Sequence, residues 1–192
     1  MPIILKGATS GQVTLDTPAI AGTNNLELPA ATGTIQLLKL ETAQATTSGT
    51  SKDFLNIPSW AKKITVVFNE VSLSASAQLL IQLGTTSGYE TTGYLSTTTY
   101  LTQSSSTTGT SATNGFIIFS NNSGTNTTGH LAIITLGSNL WVSNGLTRQN
   151  TSQMTINSGV KTTAATVDRL RITTTSTDTF DAGSVNILIE GN

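Results

Sequence analysis

Apolar side chains in this chain recur at every second position, and no stretch sustains the i, i+3, i+4, i+7 spacing of an amphipathic helix. In Lys62–Asn69, Ile64, Val66 and Phe68 share one face; in Gln78–Leu83 the set is Leu79, Ile81 and Leu83; near the end Val185, Ile187 and Ile189 alternate with Asn186, Leu188 and Glu190. Period two is the signature of strands that bury one face. Further apolar segments lie at Gly115–Ser120, Gly129–Gly137, Asn139–Asn144, Ser152–Asn157 and Arg169–Thr174, most of them separated by Gly, Ser or Asn clusters. Roughly eight short strands spaced by turns predict an all-β chain whose main domain, residues 50–192, is a jelly-roll-like β-sandwich. Composition agrees. Threonine is about a fifth of the chain, with Ser, Asn and Gly close behind; Thr is β-branched, and Gly and Asn accept the positive φ of tight turns.

The first forty residues do not fit that domain. Leu15–Thr23 (LDTPAIAGT) is nearly repeated at Leu26–Thr34 (LELPAATGT). In each copy a proline interrupts the strand pattern and a glycine four residues later marks a turn. The few large apolar residues of the segment return less free energy on burial than its ordering costs. Residues 1–40 are therefore expected to form an extended docking arm that lies on a sister subunit or another partner, with 41–49 as a linker. Leu15, Pro18, Ile20, Leu26, Leu28 and Pro29 are its candidate contact residues.

Charge and cysteine content exclude several classes. The chain has 192 residues, 10% of them charged, with a formal net charge of -1. A nucleic-acid binder would carry a basic stripe to neutralise phosphates, and a disordered tail would carry a high net charge. Cys is absent, which removes disulfides and thiolate metal sites. No apolar run approaches the ~20 residues that cross a bilayer as a helix, and MPIILKGATS turns polar too early for a signal peptide. The expectation is a chain made in a cytoplasm, with no nucleic acid, membrane or cofactor among its partners. Scarce charge also leaves few lysines to guard edge strands, which favours an oligomer that covers its edges.

Candidate chemistry is sparse. The single histidine, His130, opens an apolar strand, where a surface or interface role outweighs general-base catalysis. No nucleophile elbow, zinc-protease helix or phosphate loop is present, although a triad can assemble from distant residues. Asp178 and Asp181 offer hard oxygen ligands, but their spacing lacks the further acids of a calcium loop; the alternative is a turn in which Gly183 provides the reversal. Trp60 and Trp141 read as mixed core and edge residues. Tyr89, Tyr94 and Tyr100 fall within the Ser/Thr/Gly-rich stretch Gly84–Asn114, where they either stack on sugars or anchor an interface, or pin the stretch to the sandwich. Arg169 and Arg171 share one strand face, either solvated or paired across subunits with Asp168 or Glu190.

Several segments resemble tailed-bacteriophage virion proteins: GQVTLDTPAIAGTNNLELPAATGTI near the start, Ile57–Ser72, Ser87–Tyr94, and Val167–Glu190. The resemblance covers both ends and part of the middle; residues 97–166 match less clearly. It implies a β-rich, trimeric, non-enzymatic virion subunit and transfers no catalytic residue. Three readings follow. A capsid decoration (cement) protein bound to the major capsid protein fits the docking arm and the low charge. A tail-fibre or receptor-binding tip recognising host surface glycan fits the tyrosines but lacks a shaft repeat. A free carbohydrate-binding module or hydrolase has no residue in its favour.

Overall fold

The computed structural model describes residues 3–6, 10–15, 36–102, 107–120 and 123–192, and the chain divides into two compact units, Met1–Thr34 and Ile35–Asn192. In the first, Ile3–Lys6 (β1) and Gln12–Leu15 (β2) pair antiparallel, with Ile3 opposite Leu15 and Lys6 opposite Gln12. Leu15 thus ends a hairpin strand. The other expected docking residues, Pro18, Ile20, Leu26, Leu28 and Pro29, lie outside the described residues.

The second unit begins earlier than the sequence suggested. Leu37–Leu40 (β3) and Gln44–Ala45 (β4), expected as the end of the arm and a linker, both pair with the last strand of the domain, Phe180–Gly191. The reason is an available edge: that strand is long enough to be covered on one side by two short partners. Between them follow Ser51–Leu55 (β5), Ala61–Leu73 (β6), Leu79–Thr85 (β7), Gly88–Tyr89 (β8), Tyr94–Thr102 (β9), Thr107–Ala112 (β10) and Phe116–Ile118 (β11). The chain continues through Thr127–Gly137 (β12), Leu140–Gln149 (β13), Gln153–Thr162 (β14) and Arg169–Thr174 (β15) to Phe180–Gly191 (β16). No helix occurs among the described residues.

These strands form a sandwich of two antiparallel sheets. The larger runs β10-β9-β14-β13-β12-β6-β16-β3, with β4 beside β3 on β16; the smaller runs β11-β7-β15-β5, with β8 beside β11 on β7. A meander, β12–β13–β14, builds the middle of the larger sheet. Its first reversal is a two-residue turn in which Ser138 and Asn139 both have positive φ, 50° and 62°, as the primed hairpin turns require. The alternation read from the sequence is borne out where apolar residues are densest. Ile64, Val66 and Phe68 on β6 and Val185, Ile187 and Ile189 on β16 face Leu79, Ile81 and Leu83 on β7 and Leu170 and Ile172 on β15, all buried in one core. Trp141 belongs to this core, and Trp60 packs partly buried against it. Each fully buried side chain of this size contributes about 1.5–3 kcal/mol.

Gly183 is not the reversal expected of it. It lies within β16 at a register shift against β6, with φ 91°, and a Cβ there would sit 2.4 Å from the Glu70 carbonyl oxygen. Glu70 itself has φ 52°, so the bulge brings two unusual backbone conformations face to face.

Two stability outcomes follow. Ile187→Ala should cost about 2–5 kcal/mol in chemical unfolding, since the cavity forms between the sheets. Gly183→Ala should destabilise clearly more than Gly124→Ala. Both glycines have positive φ, but a Cβ at Gly124 meets nothing within 4 Å, leaving only a conformational cost of about 1–2 kcal/mol.

Candidate functional site

The tyrosines and arginines singled out in the sequence are engaged within the chain. Tyr94 is fully buried. Its hydroxyl accepts the Leu83 N–H at 2.7 Å, and its ring meets Phe116 edge-on, 5.1 Å between centroids at 89°. Burial pushes its phenol pKa well up. The Lys161 ammonium lies 5.2 Å from the ring centroid and is held by Glu90 at 2.6 Å and the Thr92 carbonyl at 2.9 Å. Tyr94 therefore holds β9 to β7 and is no recognition residue. Tyr100 is half-buried and stacks on Phe119, 4.6 Å between centroids.

Tyr89, Arg169 and Arg171 meet on the outer face of the smaller sheet. Leu170 and Ile172 of β15 point into the core, so the residues between and beside them point out. Arg171 makes a two-pronged bond to Asp53, 2.8 Å on each arm, and lies 4.0 Å over the Tyr89 ring. Arg169 makes the same kind of bond to its neighbour Asp168, at 2.7 and 3.0 Å. Its stem crosses β7 at Gly84, where a Cβ would come within 2.6 Å of Arg169 Cγ. In place of the two alternatives read from the sequence, a solvated face or pairing across subunits, both arginines pair within the chain, and Glu190 bonds Lys63, at 2.7 Å. The Arg171 guanidinium holds the Asp53 carboxyl below the usual carboxylate range against the opposing effect of burial. The Tyr89 hydroxyl is pushed up to about 12 by burial and by the Asp53 charge. With both guanidinium forks occupied, the cluster staples β5, β8 and β15 together and offers no free cation to a ligand.

Among the described residues no three His, Cys, Asp or Glu side chains converge. Asp178 sits in a turn where its N–H donates to Ser176 Oγ at 3.0 Å, and Asp181 accepts the Ser72 hydroxyl.

The unexpected site is the outer face of the larger sheet. On β9, β14 and β13 the usual arrangement is inverted. Ser96, Thr98, Thr155, Asn157, Ser143, Thr147 and Gln149 are buried between the sheets, while Leu95, Leu101, Met154, Ile156 and Leu146 face out. Exposure reaches 70% at Leu95, 51% at Ile156, 47% at Leu146 and 43% at Met154. Strand register sets four of them side by side: Leu101 opposite Met154, whose other neighbour is Arg148, and Ile156 opposite Leu146, which lies opposite His130 and, through it, Val67; Leu95 lies apart, opposite Val160. His130 is therefore an exposed member of this face. The hydroxyls turned inward have work to do there. Ser96 Oγ accepts the Ile117 N–H at 2.9 Å, Thr98 Oγ1 accepts the Phe119 N–H at 3.2 Å, and Thr98 donates to Asn157 Oδ1 at 2.6 Å. These bonds satisfy amides on the side of β11 that no described strand reaches.

Alternation alone does not say which side of a strand meets the core. A signal for this face does exist in the sequence: no Asp, Glu, Lys or Arg stands between Glu90 and Arg148. β9 carries no charged residue, and the outward faces of β13 and β14 carry one, Arg148, which lies opposite Met154 and is bonded to Glu70; a sheet face with so little charge is unlike a solvated one.

The Asp53 pair has a pH signature. Its folded pKa is depressed, so its stabilisation is present above the unfolded value of about 4 and is lost as pH falls through the lower folded value. Carboxyl titration by NMR should show Asp53 moving up toward its ordinary value in Arg171→Ala, and Asp53→Asn should reduce the loss of thermal stability on acidification below pH about 4.

No protein-family model matches the chain, and neither the curated proteins nor the solved structures contain a match to it.

Proposed function

We propose that this chain is a non-enzymatic structural subunit of a bacteriophage virion, a capsid decoration protein that docks the apolar outer face of β9, β14 and β13 on a neighbouring protein of the head shell. The observation that carries this reading is the inversion on β9, β14 and β13, where leucine, isoleucine and methionine are left in water while threonine and asparagine are buried. A face of this kind is stable in water only at a cost that a covering surface removes: roughly 25 cal/mol is recovered per Å² of apolar area buried. Four neighbouring side chains exposed to this degree, Leu101, Met154, Ile156 and Leu146, present on the order of 400 Å², within the range where patches on soluble proteins are often binding sites. Interfaces of this composition, apolar at the centre and rimmed by hydroxyls and amides, match the anatomy of protein contacts. Charged groups among the described residues are paired within the chain or set away from this face, and nothing in the site furnishes a nucleophile with its base. The virion setting rests on the sequence resemblance described above. Of its two virion readings, decoration is favoured over a glycan-binding tip, because Tyr94 is core and Tyr100 is stacked on Phe119.

Imaging of purified virions that carry the chain should find it on the head in many copies. Ile156→Lys places a charge at an exposed position and should leave thermal unfolding unchanged while weakening attachment to purified heads by about tenfold or more. A chain found only at the tail tip, or Ile156→Lys heads decorated at the wild-type level, would overturn the reading.

A further inference from the structure

Among the described residues the sandwich has several exposed strand edges, and all but one of these carry a device that stops another strand from adding to them. On the larger sheet, β3 is four residues long and bears Lys39, which pairs with Glu41 at 2.5 Å, and β4 has only two residues. On the smaller sheet, β5 bears Lys52 and Asp53, β8 has two residues, and the amides of Ile117 and Phe119 beside β11 are taken by the Ser96 and Thr98 hydroxyls. Short edges, charges and satisfied amides are the usual protections of an edge. The remaining edge, β10, has none of them. Thr107–Ala112 reads TTGTSA, with no charge and no proline, and its register with β9 runs without a bulge from Thr107 opposite Leu101 to Ala112 opposite Ser96.

The direction of its free groups can be read as well. The Thr110 carbonyl faces β9, 3.3 Å from the Thr97 hydroxyl. Successive residues of an antiparallel strand turn their backbone groups to opposite sides. The N–H and C=O of Gly109 and Ser111 therefore point away from the sheet. We infer that β10 pairs antiparallel with β10 of a second copy of this chain, about a two-fold axis at Gly109. Gly109 then lies opposite Gly109, and Ser111 of each copy opposite Thr107 of the other, each pair exchanging two backbone hydrogen bonds. A second copy is the occupant that suits this edge. The absence of charge from β9 and β10 means that two copies meet without like-charge repulsion, and an isologous contact closes on itself instead of growing into a filament. The pairing deepens the docking role proposed above and rests on it for its purpose: it joins two larger sheets edge to edge, with the apolar outer faces of both copies turned to the same side across the paired β10 strands. It yields a two-fold pair, in place of the trimer that the resemblance implied.

Sedimentation equilibrium and amide hydrogen exchange on the full chain test this together. Wild-type protein should show a two-copy mass, with the Gly109 and Ser111 amides protected alongside that of Thr110. Ser111→Pro removes an outward N–H; Ser111→Lys keeps it, together with the β9 ladder, and adds like charges at the contact. Both should weaken the pair by about tenfold or more and free the Gly109 amide while Thr110 stays protected. Ile156→Lys, on the face and away from the edge, should keep the two-copy mass. A single-copy or three-copy wild-type mass, or an undiminished pair in Ser111→Lys, would overturn the inference. A monomer that still decorates heads overturns the pair alone; a pair that fails to decorate them overturns the docking role and leaves the pair standing.

Discussion

A backbone amide buried between two sheets must find an acceptor, and in this protein that requirement shapes the whole domain. Short strand β11 pairs with β7 on one side only. On its other side Ile117 and Phe119 donate to side chains of β9 in the opposite sheet, Ser96 and Thr98. An unpaired buried amide costs about 1–3 kcal/mol, more than a typical hydroxyl's net hydrogen bond returns, so hydroxyl residues must face inward at those positions. Once Ser96 and Thr98 point in, strict alternation sends Leu95, Thr97 and Thr99 out. The neighbouring strands continue the pattern, with Thr155 and Asn157 buried on β14 and Met154 and Ile156 exposed. Satisfying one strand's amides and creating an apolar outer face are thus two consequences of the same register.

The sandwich behaves as two halves. Around β6, β16, β7 and β15 the core is aliphatic and aromatic, and contacts between chain segments distant in sequence hold it together. Around β9, β13 and β14 the interior is a network of hydroxyls and amides, with Thr98 bonded to Asn157 and Thr147 to Thr155. Such a network adds less hydrophobic stabilisation than an apolar core of the same volume but fixes register, since each buried hydroxyl has few acceptable partners. Charges follow the same division. Asp53 with Arg171, Asp168 with Arg169, and Lys63 with Glu190 belong to the smaller sheet or to the β6–β16 side. On the opposite half β9 and β10 carry no charge, and the charged residues of β13 and β14, Arg148 and Lys161, are bonded to Glu70 and Glu90.

Much of the fold was legible in the sequence, and the site was not. Strands at residues 62–69, 78–83 and 185–190 announced themselves because their apolar sets alternate with polar residues and face an aliphatic core. The Gly84–Asn114 stretch was harder. It holds β8, β9 and β10, but threonine in both phases of β9 hides which side is buried, so Tyr94 resembled a loop tyrosine when it is a core residue. Leu37–Leu40 reads as part of an arm because its pairing partner, β16, lies at the far end of the chain, and no local pattern reports a contact of that range. Arg171 and Asp53 were likewise separated in sequence and joined only by the order of the smaller sheet.

By itself the sequence determined the β class, the places of the strongest strands and the shortage of charge, because period-two alternation and composition are local properties of a chain. Only the tertiary structure decided which face of β9, β13 and β14 met the core and which was left to water. Alternation is symmetric between the two sides of a strand, and a shift of one residue exchanges them; what broke the symmetry was a set of amides on β11, brought against β9 by the packing of one sheet on the other.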